Sequence, residues 1–259
     1  MPELPDLEVY KENVWNRLTA KRLCGVEVCN AIKVQAPQAM LSQALVGEQL
    51  LEIRRSGKEL YFDFGPDKIL GAHLMLNGTM SFPEDAARVP FAILLLRFEA
   101  QTLAFADRGG LCTIKFNPAP GRAPDALDEA FSLDYFLALA KKRARLNIKA
   151  LLIDQSLVRG IGNAYADEIL WAARVSPYSV AGRIPHGALL ALYQSIGVVL
   201  REAIVSIKRV APGIISGEER SFLNVHTKTR KTTETGHPIL VEQVASKITY
   251  YTREQVLYQ

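Results

Sequence analysis

The stretch "LLIDQSLVRGIGNAYADEILWAARVSP", Leu151 to Pro177, organises the reading of the chain. An apolar helical segment ends near Gln155, glycines follow at Gly160 and Gly162, and a second helical segment begins at about Ala164 with Asn163 as its natural N-cap. Glycines at these positions permit positive φ and close backbone approach, so a phosphate could sit against the open N–H groups of the second helix. A plain helix-turn-helix corner would show the same letters, and at this level both readings stand.

Outward from this motif the helical signal continues. Segments near 133–143, 147–155, 164–173 and 186–207 carry helical periodicity with few breakers, and Ser132 is a fitting N-cap. Upstream, "NPAPGRAPDALDEA" reads as a linker, with Pro118, Pro120 and Pro124 close together. Before it, from about Leu23 to Phe116, the period shortens to that of strands broken by turns. "LLEIRRSGKELYFDF" and "AHLMLNGTMSF" each contain a glycine turn between β-formers, and Asn77-Gly78 is a hairpin signal. At the start, Leu7, Tyr10, Val14, Trp15 and Leu18 mark one helix face, with Pro5 in a first-turn position and Asp6 and Glu8 at the positive end of the dipole. The expected architecture is α+β: an N-terminal helix with a two-layer antiparallel β-sandwich over 1–117, a linker over 118–131, a helical domain over 132–220 and a β-hairpin unit over 221–259.

Composition is that of an ordinary soluble globular chain: 22% charged, 49% hydrophobic and a net charge of +4. No run reaches the length of a membrane span; the longest apolar stretch, "FAILLLRF", reads as a buried strand. The first residues have acids where a secretory signal would have lysines, so a cytoplasmic or nucleoid location is expected. Cys24, Cys29 and Cys112 form no C-x-x-C pair and are expected to be small buried hydrophobes. The run "KKRARLNIK" gathers Lys141, Lys142, Arg143, Arg145 and Lys149 without an acid, which suits either a solvated helix face or a polyanion partner.

Three further features could carry chemistry. With Met1 removed, Pro2 would present a secondary amine able to form an iminium with an electrophilic carbon, and Glu3 would lie beside it as an acid or base. Lys58 follows a hairpin turn, from which a long cation can reach outward; hairpin lysines also serve solubility alone. Thr232, Thr235, Thr252 and Gln255 repeat the x2, x16, x2 spacing of a four-cysteine zinc ribbon without any cysteine.

In this order the motifs resemble those of the Fpg/Nei family of bifunctional DNA glycosylases. "MPELPDLEV" is similar to the family's N-terminal signature, "SGKELYF" to its lysine hairpin, "AHLMLNG" to its His-x-x-Met-x-Gly strand, and Leu151 to Pro177 to its helix-two-turns-helix motif. The resemblance implies a base-excision repair enzyme, monomeric and acting on double-stranded DNA with oxidised bases or abasic sites. Pro2 would attack C1′ of a flipped-out nucleotide, Glu3 would assist ring opening and proton transfers, and β,δ-elimination would cleave the strand. It implies a catalytic set of Pro2, Glu3, Lys58 and Lys247, and DNA contacts from His73, Asn163, Arg108, Leu76 and Lys247. The basic run 141–149 would face DNA, and Asp154 would bond turn amides. The alternative is a lesion-binding protein without efficient turnover.

The chain departs from the family pattern in three places. Leu76 stands at the wedge methionine, and Gly109 and Leu111 stand at the wedge arginine and phenylalanine, with Arg108 displaced by one. Weak discrimination of the opposite base is therefore expected. The connection after the long helix is short, which leans toward oxidised pyrimidines or hydantoins. Hydroxyls and an amide are poor zinc ligands, so the hairpin is expected to be a zincless finger with no cofactor. Phe222, Leu223, Val225, Ile239, Val241, Ile248, Tyr250 and Tyr251 would hold it by packing, and Lys247, in place of the family's arginine, would present charge to phosphates.

Overall fold

The computed structural model describes all 259 residues. The chain forms two compact units: Met1–Pro120 with Ile207–Glu218, and Gly121–Ser206 with Glu219–Gln259.

The first unit opens with α1 (Leu4–Leu18) and continues through β1 (Leu23–Val28), β2 (Val34–Gln35), α2 (Gln38–Leu45), β3 (Glu52–Ser56), β4 (Glu59–Asp63), β5 (Ile69–His73), β6 (Thr79–Ser81), β7 (Ala92–Phe98), β8 (Thr102–Ala106) and β9 (Thr113–Phe116). Two sheets form, ordered β1-β7-β8-β6 and β2-β9-β5-β4-β3. Pairing is antiparallel except between β2 and β9, which run parallel. The inner faces bury Leu60, Phe62, Leu70, Leu94, Leu96 and Phe105. Phe62 of one sheet meets Phe105 of the other edge to face at 5.7 Å. Each such ring contributes about 1.5–3 kcal/mol by leaving water.

The sequence reading of this unit needs four corrections. First, α2 lies inside the stretch read as strands, because Leu41 and Leu45 are spaced to bury one helical face. Second, Asn77-Gly78 closes no hairpin: β5 and β6 belong to different sheets. A tight turn instead returns Gly78 N–H to the Leu74 carbonyl (2.8 Å) and carries the chain from one layer to the other. A Cβ on Gly78 would lie 2.2 Å from that carbonyl oxygen, so glycine is required by space. Third, Cys24 and Cys29 are exposed, on outward positions of β1 and just after it. Cys112 alone is buried, its thiol pushed up to about 12 chiefly by loss of hydration. Fourth, residues 207–218, assigned by sequence to the helical domain, count with the first unit. Asn13 Nδ2 donates to the Ile214 carbonyl (2.8 Å), Met80 N–H to Ser216 Oγ (3.0 Å) and the Tyr10 hydroxyl to the Gly217 carbonyl.

The second unit holds α3 (Leu133–Lys142), α4 (Ile148–Ile153), α5 (Asn163–Ala172), most of α6 (His186–Val210), and the hairpin of β10 (Leu240–Val244) and β11 (Lys247–Tyr251). Ser132 Oγ accepts Tyr135 N–H (3.1 Å), the expected N-cap of α3. With 25 residues, α6 is long and apolar enough to cross a bilayer, contrary to the expectation that no run is. Its buried positions Leu189, Leu192, Ile196, Leu200, Ala203 and Ile207 recur every three to four residues, the stripe of a helix packed on a protein core.

Candidate nucleic-acid interface and reaction site

Pro2 and Glu3 are buried at the head of α1. Glu3 occupies the N-cap, and its N–H donates to Asp6 Oδ2 (2.8 Å), so the acid at the helix entrance is held by the helix it starts. With Met1 in place the Pro2 nitrogen is acylated and not nucleophilic; the amine belongs to Met1 and contacts the Glu218 carboxylate. Glu8, one turn along, is bonded by Lys11 and by Arg55 of β3 (2.7 Å). Burial opposes ionisation of Glu8, but these two cations outweigh it and hold its carboxyl below the usual range. The ion pair fixes α1 against the hairpin that carries Lys58.

Lys58 follows Gly57, whose φ of +62° closes the β3–β4 turn. Its side chain does not reach into solvent, as the sequence suggested; it is buried, 7% exposed. On the neighbouring strand, Leu60 pairs with Ala72, which sets His73 level with Glu59 and beside Lys58. His73 Nδ1 accepts Met75 N–H (3.1 Å), leaving Nε2–H as the donor of a neutral ring. Burial is the main force lowering the His73 pKa; Glu59 opposes it, while Lys58 and Lys115 add to it. Lys58 and His73 thus form a cation and a neutral donor side by side, a set suited to phosphate oxygens.

Leu76 lies exposed at the apex of the Leu74–Gly78 turn. The loop after β8 is organised by Asp107, which sequence reasoning overlooked although "ADRGG" signals an Asx-type turn. Its carboxylate accepts N–H groups from Gly109 (2.7 Å), Leu111 (2.6 Å) and Cys112 (2.7 Å). Although burial pushes the other way, these bonds keep its pKa low. A Cβ on Gly109 would lie 2.9 Å from Asn77 Nδ2, so the Leu76 turn and the Arg108 loop adjoin.

In the second unit the turns after α4 are closed by two side chains. Asp154 Oδ1 accepts from Ser156 N–H (2.9 Å) and Oγ (2.6 Å), the structural role expected. Gln155, not singled out by sequence, donates to the Ile153 (2.9 Å) and Ile161 (2.7 Å) carbonyls and accepts Gly160 N–H (2.9 Å). Gly162, not Asn163, is the N-cap of α5. Freed from capping, Asn163 donates through Nδ2 to the Ile248 carbonyl of β11 (2.8 Å), while its buried Oδ1 has no partner.

That bond brings Asn163 next to Lys247, exposed at the hairpin tip. Ala245 and Ser246 carry the turn with φ of +50° and +61°, strained values for residues with a Cβ. Lys149, expected on a DNA-facing surface, is fully buried instead. Its Nζ lies 2.7 Å from Asp167 Oδ1, in a geometry that forms an ion pair rather than a well-aligned hydrogen bond, and donates to Thr249 Oγ1 (2.6 Å). Asp167 Oδ2 pairs with His226 Nδ1 (2.7 Å) and accepts Tyr250 N–H (3.0 Å). Glu168 accepts the successive N–H groups of Asn224, Val225 and His226, each at 2.8 Å. Helix α5 therefore grips both the hairpin and the loop leading to it. Lys141, Lys142, Arg143 and Arg145 remain exposed.

No group of three or more His, Cys, Asp or Glu side chains is placed to hold a metal ion, and at the ribbon positions the hydroxyls of Thr235 and Thr252 both bond Glu254. Glu254 Oε2 accepts from Thr235 Oγ1 (2.9 Å), Thr252 Oγ1 (3.2 Å) and Trp171 Nε1 (3.4 Å), and Oε1 pairs with Arg174 (2.6 Å). Gln255 accepts Thr252 N–H (2.8 Å) and donates to the Val175 carbonyl (2.9 Å). Thr232 is exposed. Of the side chains expected to pack the hairpin, Leu223, Val225 and Tyr250 are buried, but Val241 and Ile248 are exposed. Phe222, Ile239 and Tyr251 are half-buried, and the polar bonds of Glu254 and Gln255 add to this packing.

Two family models match this chain: the formamidopyrimidine-DNA glycosylase N-terminal domain over residues 1–113 and the formamidopyrimidine-DNA glycosylase H2TH domain over 122–211. The chain is 31% identical over 237 residues to the formamidopyrimidine-DNA glycosylase of Heliobacterium modesticaldum, covering 85% of this chain and 84% of that one. It is 28% identical over 272 residues to that of Lactococcus lactis subsp. lactis, with 97% of each covered. The L. lactis Fpg crystallised with DNA containing an oxidised pyrimidine superposes with a TM-score of 0.86 at 27% identity, over 97% of this chain and 98% of that one. A complex of L. lactis Fpg with abasic-site DNA gives a TM-score of 0.86 at 26% identity, over 96% and 97% of the two chains.

Proposed function

Since the chain belongs to the Fpg/Nei family and is a DNA glycosylase of base excision repair, we propose that it works through a Schiff base on Pro2 and also cleaves the strand. The observation that carries this is the buried Pro2-Glu3 pair at the head of α1, with that helix ion-paired to the hairpin bearing Lys58. Once Met1 is removed, the Pro2 nitrogen attacks C1′ of the flipped nucleotide and the bond from C1′ to the base breaks, the base leaving with a proton. The sugar O4′ takes a proton as the ring opens, and the nitrogen lone pair completes an iminium. Loss of a C2′ proton expels the 3′ phosphate, and a further elimination expels the 5′ phosphate. Glu3 serves these proton transfers. Lys58 and His73, and in the other unit Asn163 and Lys247, hold backbone phosphates.

Borohydride reduction of a mixture with abasic-site DNA tests this reading. A covalent adduct is expected, and it should vanish when the N-terminus is blocked or Met1 is retained. The alternative reading is lesion binding without turnover. Tight lesion binding with no adduct from protein lacking Met1 would establish that reading instead. For substrates we favour oxidised pyrimidines and hydantoins in DNA, on the short connection between α6 and the hairpin; a panel of lesion duplexes scored for cleavage ranks them.

The hairpin is further proposed to close without zinc. Burial of Glu254 opposes its ionisation, but bonds from Thr235, Arg174, Trp171 and Thr252 outweigh this and hold its carboxyl below the usual range. A depressed carboxylate stabilises the fold above its unfolded pKa, and that stability is lost as pH falls through the folded pKa. Exchange protection at residues 248–252, taken relative to the intrinsic rate at each pH, should fall as pH drops below the ordinary glutamate range in the wild type, lose this pH dependence in Glu254→Gln, and ignore a chelator. Stoichiometric zinc by elemental analysis would refute the proposal.

A further inference from the structure

The register of the first sheet places three turns in a row. Ala92 of β7 pairs with Ala106 of β8, and Ala106 pairs with Thr79 of β6, so Phe91, Asp107 and Gly78 leave the sheet at the same end. Neighbouring strands stand about 4.8 Å apart, which brings the three apices within about 10 Å. Each presents a large apolar side chain to solvent: Leu76 at 56% exposure, Phe91 at 59% and Leu111 at 42%. Arg108 lies among them with its guanidinium 6.0 Å from the Phe91 ring centroid and no carboxylate partner.

Phe91 is the member of this patch that neither periodicity nor motif singled out. Its φ is +56°, a conformation costly for a residue with a Cβ, and its carbonyl accepts the N–H of Asp107 (3.1 Å), the residue that organises the Arg108 loop. An aromatic ring held outward in a strained backbone, tied to a cation and unpacked on its outer side, has the chemistry of a base-stacking platform. Apolar side chains inserted between base steps, with an arginine beside them, are how proteins hold open a duplex from which a nucleotide has been extruded. The loop after β8 offers Leu111 but no aromatic for that purpose.

We propose that Phe91 is a specificity-determining residue of the glycosylase: it stacks on the unpaired base opposite the flipped nucleotide, with Arg108 held against its ring to bond that base's edge or the adjoining phosphate. The proposal rests on the reading that the enzyme flips its target nucleotide. The occupant is the base stack of duplex DNA, favoured over a protein by the unpaired Arg108 at the centre of the patch.

The test uses the full chain lacking Met1, with Phe91→Ala and Phe91→Trp. For Phe91→Ala, the ratio of cleavage of a lesion in duplex to the same lesion in a single strand should fall about tenfold, the size of one lost base–aromatic stack. Phe91→Trp should restore the ratio, and its indole emission, measured over that of Trp15 and Trp171, should quench on a lesion duplex. A 2-aminopurine placed opposite the lesion reports insertion on binding alone, so it remains informative if wild type forms no borohydride adduct and the Schiff-base reading fails. An unchanged cleavage ratio in Phe91→Ala, an unquenched indole, or a 2-aminopurine response equal in wild type and Phe91→Ala would overturn the proposal. So would loss of self-association in Phe91→Ala with duplex cleavage intact, which would assign the patch to a second copy of the chain.

Discussion

Glu3→Gln should lower kcat on a base lesion by about 10²- to 10⁴-fold, the usual contribution of a positioned acid or base. The amide keeps the volume of the buried side chain and can still accept a hydrogen bond at the N-cap, so α1 should form as before. On the proposed mechanism, what it loses is the ability to take and return a proton at the ring oxygen and at C2′. The adduct trapped with abasic-site DNA should persist more strongly than turnover, because the nucleophile is intact. Single-turnover kinetics on a lesion duplex beside a trapping assay measure both. Equal loss of adduct and turnover would make Glu3 a determinant of nucleophile placement rather than of proton transfer.

Asp167→Ala should cost about 3–5 kcal/mol of stability, the range for removing one partner of a buried ion pair. Lys149 and Asp167 side chains are both 0% exposed, and Asp167 also bonds His226 and the β11 backbone at Tyr250. Its loss strands a buried ammonium and cuts the hairpin's main tie to α5. Urea denaturation followed by intrinsic fluorescence reports the drop. The double substitution Lys149→Met with Asp167→Leu should recover much of it, because apolar replacement of both partners removes the stranded charge. A double variant no more stable than Asp167→Ala would show that the hairpin bonds, and not the stranded charge, dominate.

Much of the architecture could be read from the chain because it depends on local period. The strand block, the linker prolines, the helices around Gly160 and Gly162, and the Gly57 turn all follow from residues within a few positions of one another. The misreadings share a different cause. Lys149 looked like part of a basic surface because its neighbours at 141–145 are charged, yet its partners lie at 167 and 249. Asn77-Gly78 has hairpin letters, but whether two flanking strands pair is decided by the layer each joins. The hairpin was expected to be held by apolar residues; Glu254, its carboxylate anchor, carries no periodic signal and reaches Trp171 and Arg174 of the α5 region. Phe91 escaped notice because exposure of an aromatic at a strand entrance depends on a single φ value. Sequence thus singled out Pro2, Glu3, Lys58 and His73, while their burial and the long-range polar partners elsewhere required coordinates.

The Glu254 node has a further consequence for a glycosylase of base excision repair. Where a comparable finger is closed by cysteine thiolates, its sulfurs lie on a ladder from sulfenic to sulfonic acid, and each step weakens the grip on the metal. Thr235, Thr252, Gln255 and Glu254 have no such chemistry, and all three cysteines of the chain fall before residue 113, in the first unit. Closed without zinc, as proposed, the segment bearing Lys247 would keep its shape under a peroxide load, with neither metal supply nor thiol reduction limiting its recovery.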